Sequence, residues 1–281
     1  MTQKNKGRIL VISTALLWGL AGVCVKSISW STMSIVAARS LISFLLILSV
    51  NGSLKIKLSK TDFFGGLMAA LTGILYVAAI KNTTAGTAIV IQYIAPILVF
   101  LYEVIFHGKK AKKWEIIFTL LVFLGVVLAF ADSIDMSHII GNILALLSAF
   151  TFAAEIIILN GEESDSENCM VIGNAIAFII CVPFIFKDPN LSFDAHNVIW
   201  VLILGIFQYG LGNLCFAKGC KFIDDIECSL LLTLEPIFNP IPVAIICGER
   251  MGVLAIIGAA VVIVSVTLYG IWPQLMEKKA V

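Results

Sequence analysis

Ten apolar stretches follow one another along the chain, joined only by short polar segments, and this succession constrains the fold more than any other feature. They cover residues 8–27, 32–50, 62–80, 85–106, 113–131, 139–159, 170–186, 197–217, 226–246 and 251–272. Runs of about 17–25 apolar residues are long enough to cross a bilayer as helices. Hydrocarbon offers no partner to a bare N–H or C=O, so each crossing must satisfy its own backbone. None of the stretches alternates with period two in the roughly ten-residue units of an outer-membrane barrel. The expected architecture is all-α and polytopic, with ten transmembrane helices and no room for a separate soluble domain.

Composition agrees. Hydrophobic residues make up 60% of the 281 and charged residues only 13%, with a mean hydropathy of +1.03. A soluble domain carries about 25% charged residues to cover its surface. A soluble enzyme, a disordered chain and a nucleic-acid binder are therefore excluded as classes, and the net charge of +1 gives no polyanion a partner. Lys4, Lys6 and Arg8 precede the first apolar run as in a signal peptide, but about 19 apolar or small residues exceed the 7–15 of such a segment, so it reads as a retained span. The seven cysteines are odd in number and contain no Cys-x-x-Cys pair. Cys24, Cys181, Cys215, Cys228 and Cys247 lie in apolar runs or at their edges, where thiols act as small apolar filler. His107, His138 and His196 fall between runs, and neither a metal site nor a cofactor is expected.

Lys and Arg set the expected orientation. With the N-terminus inside, Lys4, Lys6, Arg8, Lys55, Lys57, Lys60, Lys109, Lys110, Lys112, Lys113, Lys218, Lys221, Lys278 and Lys279 are cytoplasmic. Only Lys26, Lys81, Lys187 and Arg250 lie outside, and Arg39 lies within a span. Both termini then face the cytoplasm of a bacterial-type plasma membrane.

The two halves resemble each other. Tyr76, Ala79, Lys81, Pro96 and Gly108 recur 140 residues later as Phe216, Gly219, Lys221, Pro236 and Gly248, and Gly7 to Trp18 aligns with Gly141 to Phe152 at a spacing of 134. Residues 1–131 then form one five-helix unit, 139–272 a second, and 273–281 a cytoplasmic tail. Five is odd, so the second copy enters from the opposite face. That is the inverted repeat on which secondary transporters build alternating access around a midplane site.

Trp18-Gly19 in the first span, Arg39 in the second, Leu234-Glu235-Pro236, and Gly248-Glu249-Arg250 resemble the EamA domain of the drug/metabolite transporter superfamily, over essentially the whole chain. The resemblance implies a transporter. Such proteins export amino acids or other metabolites, or take up compounds such as choline, and export is commoner. Lys109 stands where the first half of such proteins often has a Glu matching Glu249.

Ionisable groups within lipid are costly and normally face a cavity or a partner. Glu235 is nearest mid-membrane and precedes Pro236, with Pro240 and Pro242 following. Proline removes a backbone donor and frees a carbonyl one turn back, so this span should be open there, as the fourth span should be at Pro96. Pro96, Pro236 and Pro240 are the expected hinges. Glu235 either binds a cationic substrate group or a coupling proton, or else pairs with Arg39 or caps a broken helix. Arg39 is expected to have a buried ion-pair partner. Glu155 and Glu103 sit about a turn from the inner ends of their spans, within reach of headgroup water, and Glu155 is also a candidate ligand. Trp18, Tyr76, Gln92, Tyr93, Gln208, Asn213 and Asn239 complete the candidate substrate-binding or coupling set, beside Asn174 and Tyr209 as further polar candidates; amides also bridge helices, and aromatics also pack.

An intramembrane enzyme would need a nucleophile with its base, paired aspartates or a His-Glu metal motif inside a span, and none is present. No phosphate-binding Gly-x-x-x-x-Gly-Lys loop occurs either, so a proton gradient or the substrate's own gradient is the expected energy source. A channel or membrane scaffold is the remaining alternative. One chain holds both units, so a monomer suffices, with a homodimer as the other possibility.

Overall fold

The computed structural model describes residues 2–51, 59–83, 85–131, 134, 136–238 and 252–279, and among these the regular structure is entirely helical. In chain order the helices are α1 (Gln3–Trp18), α2 (Ala21–Ser27), α3 (Thr32–Asn51), α4 (Lys60–Asn82), α5 (Ala85–Gln92), α6 (Ala95–Ile105), α7 (Lys113–Ala129), α8 (Ile139–Asn160), α9 (Ser166–Ile185), α10 (Ala195–Ile203), α11 (Gly212–Cys220), α12 (Asp225–Leu232), α13 (Leu234–Phe238) and α14 (Val253–Lys279). A π-helical segment, Leu204–Leu211, joins α10 to α11.

Eight helical stretches among the described residues are long and apolar enough to cross a membrane. At 17 residues, α7 lies at the lower limit of a crossing. The expected ninth span is described only from its start to Phe238, so Asn239, Pro240, Pro242, Cys247 and the Gly248-Glu249-Arg250 motif lie outside the described residues, as do Lys55 and Lys57 of the second joint. The first helix begins at Gln3, five residues before the apolar run, because the Thr2 hydroxyl caps it by accepting from the Asn5 N–H. Asp165, Asp194 and Asp224 cap α9, α10 and α12 in the same way, which puts helix starts in the polar joints.

Large apolar side chains such as Phe216, Ile156, Leu159 and Leu232 fill the interior, and others dress the outside. Ile117, Leu120 and Leu124 on α7 and Ile256, Ile257 and Val264 on α14 are exposed, as lipid-facing side chains are. Helix α4 packs on α8 and α9, α3 on α9 and the π-helical segment, α7 on α14, and α1 on α11. Glycine permits the tightest crossings. A Cβ on Gly258 of α14 would stand 2.3 Å from the Ala129 backbone N and 2.5 Å from the Gly125 carbonyl oxygen. Gly108, just beyond α6, has φ of +63°, a left-handed conformation natural to glycine.

Polar networks pin both ends. At one end the Arg8 guanidinium binds the buried Glu227 carboxylate and donates to the Gly270 carbonyl at 2.8 Å. Nearby, Lys221 Nζ donates to the Ser164 carbonyl at 2.8 Å and Asn160 donates to Asp225. At the other end Trp30 donates to the Ser192 carbonyl at 2.8 Å, and the Ser31 N–H donates to Asp188 at 2.6 Å. Burial raises the Asp188 pKa, but donors from Ser34, Asn190 and Ser31 outweigh it and hold the carboxyl down at about 2.

Replacing Gly258 with Ala should prise α14 from α7 and destabilise the protein by about 1–3 kcal/mol, the usual cost of overpacking, read as a lower melting temperature in detergent. The first-named end also carries a pH signature. Burial, opposed by the Asn160 hydrogen bond and assisted by Glu103 and Asp224, pushes Asp225 up to about 6. A carboxyl raised on folding contributes most below its unfolded pKa, and that contribution is lost as pH rises through about 6. Asp225→Asn should therefore raise the melting temperature at pH 8 and leave it little changed at pH 4.

Candidate functional site

Four of the helical runs are interrupted at mid-length, and the interruptions surround one cavity. Between α1 and α2 the chain turns at Gly19-Leu20; between α5 and α6 it turns at Tyr93-Ile94; between α12 and α13 it turns at Thr233. The fourth interruption is the π-helical segment, where wider turns recruit a side chain toward the bundle axis. Pro96 and Pro236 each follow a turn by two or three residues, and both have the helix break one turn upstream that a missing N–H produces.

The cavity encloses about 110 Å³ and is lined by Trp18 from α1, Arg39 from α3, Thr72 and Tyr76 from α4, Gln92 from α5, Phe152 and Glu155 from α8, Asn174 from α9, Gln208 and Tyr209 from the π-helical segment, Asn213 from α11 and Glu235 from α13. Of the candidates named from sequence, the structure brings together Trp18, Arg39, Tyr76, Gln92, Glu155, Gln208, Asn213 and Glu235 on its walls. Tyr93 lies behind the wall, with its hydroxyl 2.7 Å from Glu235 Oε2. Asn239 and the Pro240 hinge lie outside the described residues.

Two expectations are corrected. Glu155 does not reach outward to water: it is buried, 5% exposed, and lines the cavity, as its other reading as a candidate ligand requires, because α8 continues to Asn160 and the Asn160, Lys221 and Asp225 network covers that end. Arg39 has no ion-pair partner among the described residues. Its guanidinium instead lies over the Tyr209 ring, 4.2 Å from the centroid, and its Nε is buried without a hydrogen-bond partner. A cation–π contact supplies only part of what a desolvated guanidinium loses. Glu103 does sit near a helix end, 2.9 Å from His107 Nδ1.

The cavity wall has chemistry of both signs. Arg39 brings a positive charge, and Glu155 and Glu235 bring carboxyl groups. Trp18 Nε1 is a second buried donor without a partner, while Asn174 Oδ1 and Gln208 Oε1 are buried acceptors without one. Native interiors pair nearly all such atoms. All four of these buried, unpartnered atoms belong to residues that line this one cavity. Aromatic faces fill the rest: Trp18 packs on Phe216 at 5.3 Å and on Phe152 at 6.4 Å, and its ring lies against Gly212, where a Cβ would come within 2.6 Å.

Sequence reasoning missed Thr72, Ser148, Thr151, Phe152 and Met170. Gln92 Nε2 donates to Ser148 Oγ at 2.9 Å, Ser148 donates to the Thr72 carbonyl at 3.2 Å, and Thr72 donates to Thr151 at 3.1 Å, so one relay ties α4, α5 and α8 behind the wall. A signal was available. Ser148, Phe152 and Glu155 are spaced by four and three residues and share a helix face, as do Thr72 and Tyr76.

A cavity with charged and polar residues on its wall, inside a bundle of apolar helices, fits a multi-pass membrane protein. Residues 5–131 and 139–271 each match the EamA-like transporter family, and the chain belongs to that family. Among its relatives, "Uncharacterized transporter YxxF" of Bacillus subtilis is 22% identical over 279 residues, spanning 95% of this chain and 90% of that protein. An "Uncharacterized transporter" of Archaeoglobus fulgidus is 20% identical over 265 residues, spanning 93% and 95%. A solved crystal structure superposes with a TM-score of 0.84 at 15% identity, over 97% of this chain and 99% of the other, a likeness of fold. The chain is a membrane transporter.

Proposed function

We propose that this transporter is a secondary active carrier that moves a small zwitterionic metabolite of the amino-acid class by alternating access, in the direction of export. The observation that carries the reading is Arg39: a half-buried guanidinium whose Nε is buried without a partner and which has no ion pair among the described residues, on the wall of the same cavity as Glu155 and Glu235. A free carboxylate on the guest would pair with Arg39, its ammonium group would meet a carboxylate, and its side chain would rest on the aromatic wall. Arg39 also separates this reading from the alternative of a quaternary amine, which brings no carboxylate for the guanidinium to meet.

In this reading the bundle is ten transmembrane helices in two inverted repeats, with α7 as the fifth crossing and the chain from Ile226 onward as the ninth. Three observations support it. The family matches the chain twice in succession. Interchanging the repeats turns each main packing pair into another: α4 on α8 becomes α11 on α1, α4 on α9 becomes the π-helical segment on α3, and α7 on α14 maps onto itself. Glycines close matching contacts as well: a Cβ on Gly7 would meet Phe222 Cβ at 2.7 Å, and one on its counterpart Gly141 would meet the Asn82 backbone at 2.4 Å, Asn82 being the counterpart of Phe222. The Lys and Arg distribution supports a reading in which both termini face the cytoplasm and the bundle lies in the plasma membrane. A proton on one of the two cavity carboxyls is the natural coupling species, since two carboxylates against one guanidinium leave an excess negative charge.

Thermal stabilisation of the purified protein tests the reading. Amino acids should raise the melting temperature, by about 2.7 kcal/mol of linkage at a hundredfold excess over Kd, while the matching amines and carboxylates at equal concentration should not. Arg39→Gln and Glu235→Gln should each abolish the effect. Stabilisation by choline alone, undiminished in Arg39→Gln, would replace this proposal with uptake of a quaternary amine. Substrate counterflow in vesicles separates a carrier from a channel.

A further inference from the structure

Tyr93 and Glu235 meet where the two proline-broken helices approach each other. Pro236 has no N–H, so the Leu232 carbonyl four residues earlier lacks its helical donor. The Tyr93 hydroxyl lies 3.2 Å from that carbonyl oxygen and 2.7 Å from Glu235 Oε2. A phenol has one proton to donate and lone pairs to accept with. It therefore cannot donate fully to both oxygens, and the protonation state of Glu235 decides between them. When Glu235 is ionised, the charge-assisted bond to the carboxylate takes the proton. When Glu235 is protonated, its own O–H can donate to the Tyr93 oxygen, and the phenolic proton is released to the Leu232 carbonyl.

We propose that Tyr93 is a positioning residue that reads the proton on Glu235, switching its hydrogen bond between the Glu235 carboxylate and the Leu232 carbonyl and so closing or opening the break between α12 and α13. The proton is exchanged with water that enters the cavity, and no bond other than O–H is made or broken. The other charged or titratable groups on this cavity are Arg39 on α3, Tyr76 on α4, Glu155 on α8 and Tyr209 on the π-helical segment. They bias the charge on Glu235 through space, but among the described residues Tyr93 alone hydrogen-bonds its carboxyl group. The Tyr93 ring is 3% exposed, with the Phe152 ring edge-on at 6.4 Å, so water does not compete for its hydroxyl. In lipid, where a carbonyl freed by proline finds no solvent donor, such a bond affects how easily the break opens. The inference extends the carrier reading, because it gives the proton a mechanical consequence, but it stands on two side chains and one carbonyl whatever the substrate is.

The test needs no substrate. Infrared difference spectra of the purified full chain between high and low pH should show a protonated-carboxyl C=O band that is absent in Glu235→Gln. In Tyr93→Phe, which keeps the packed ring, the band should move to higher frequency because the acid has lost its acceptor. Hydrogen exchange of the amides of residues 233–238, corrected for intrinsic rates, should differ several-fold between the two pH values in the wild type. The difference should vanish in Tyr93→Phe. In Glu235→Gln, whose amide donates to Tyr93 as the protonated acid would, exchange should hold at the low-pH level. A Glu235 band that Tyr93→Phe leaves in place, no Glu235-dependent band at all, or an exchange difference that survives the Phe substitution would each overturn the proposal. Loss of ligand stabilisation with these signals intact would instead count against the carrier reading.

Discussion

Hydrocarbon supplies no hydrogen bonds, so a helix can break inside this bundle only where another part of the chain takes over the orphaned backbone groups. Much of the rest of the structure depends on that constraint. Pro236 orphans the Leu232 carbonyl and Tyr93 lies within reach of it; the turn at Thr233 is closed by its N–H and its hydroxyl, both donating to the Leu230 carbonyl at 3.2 and 2.6 Å. The first break is held by the Gly19 N–H on the Ala15 carbonyl at 3.0 Å, and Gln208 from the π-helical segment reaches the Trp18 carbonyl at 3.4 Å. Two of the four interruptions are thus supported by a residue of, or beside, the cavity wall. Cavity and breaks form one construction, since the side chains that make it polar also help the backbone to bend there.

Breaks alone would leave a loose bundle, and the pinned ends confine the looseness to the middle. Arg8 and Glu227 fasten the start of α1 to the start of α12. Trp30, Ser31, Asp188 and Asn197 fasten the loop after α2 to the loop before α10. Both sets lie in polar joints, where a charged pair loses less solvation than at mid-membrane. Arg39 is the exception. Its Nε is buried without a partner, and the unpaired atoms of Trp18, Asn174 and Gln208 show the same departure from a satisfied interior. Departures of this kind gathered on one cavity are where function is expected to reside.

Much of this was legible in the sequence, and the reasons differ by residue. Helical spans announce themselves by length and hydropathy. Pro96 and Pro236 mark breaks because the missing N–H acts locally, whatever the tertiary fold. Most candidate cavity residues were found by asking which polar groups lie deep in a span, a question that needs no neighbours. Partners were harder. An ion pair for Arg39 was expected because a buried cation needs compensation, but one chain cannot say whether the compensation comes from protein or guest. Glu155 was assigned to the interface by counting residues from the span end, and the count could not anticipate that Asn160, Lys221 and Asp225 would cover that end. Thr72 and Ser148 were passed over because a hydroxyl in a helix usually bonds its own backbone. The π-helical segment left no mark beyond Gly205 and Gly210.

The distribution of breaks carries one further consequence for a carrier. In the proposed inverted repeat, interchange would map the contact of α1 with α11 onto that of α8 with α4, yet the two contacts differ in kind. Helices α4 and α8 are uninterrupted over 23 and 22 residues. In the other pair, α1 gives way to α2 at Gly19, and α11 is preceded by the π-helical segment. One pair is stiff through the membrane and its counterpart is jointed at the level of the cavity. Alternating access requires that two related halves adopt different shapes at the same time. Here the difference is written into sequence: Gly19, Gly205 and Gly210 joint the first pair, and α4 and α8 carry no proline or mid-helix π turn to joint the second. In the proposed carrier this asymmetry would put bending on the side of Trp18 and Gln208 and leave Thr72, Ser148 and Glu155 on the stiffer wall, so a guest held between Glu155 and Glu235 would bridge an uninterrupted helix and a jointed one.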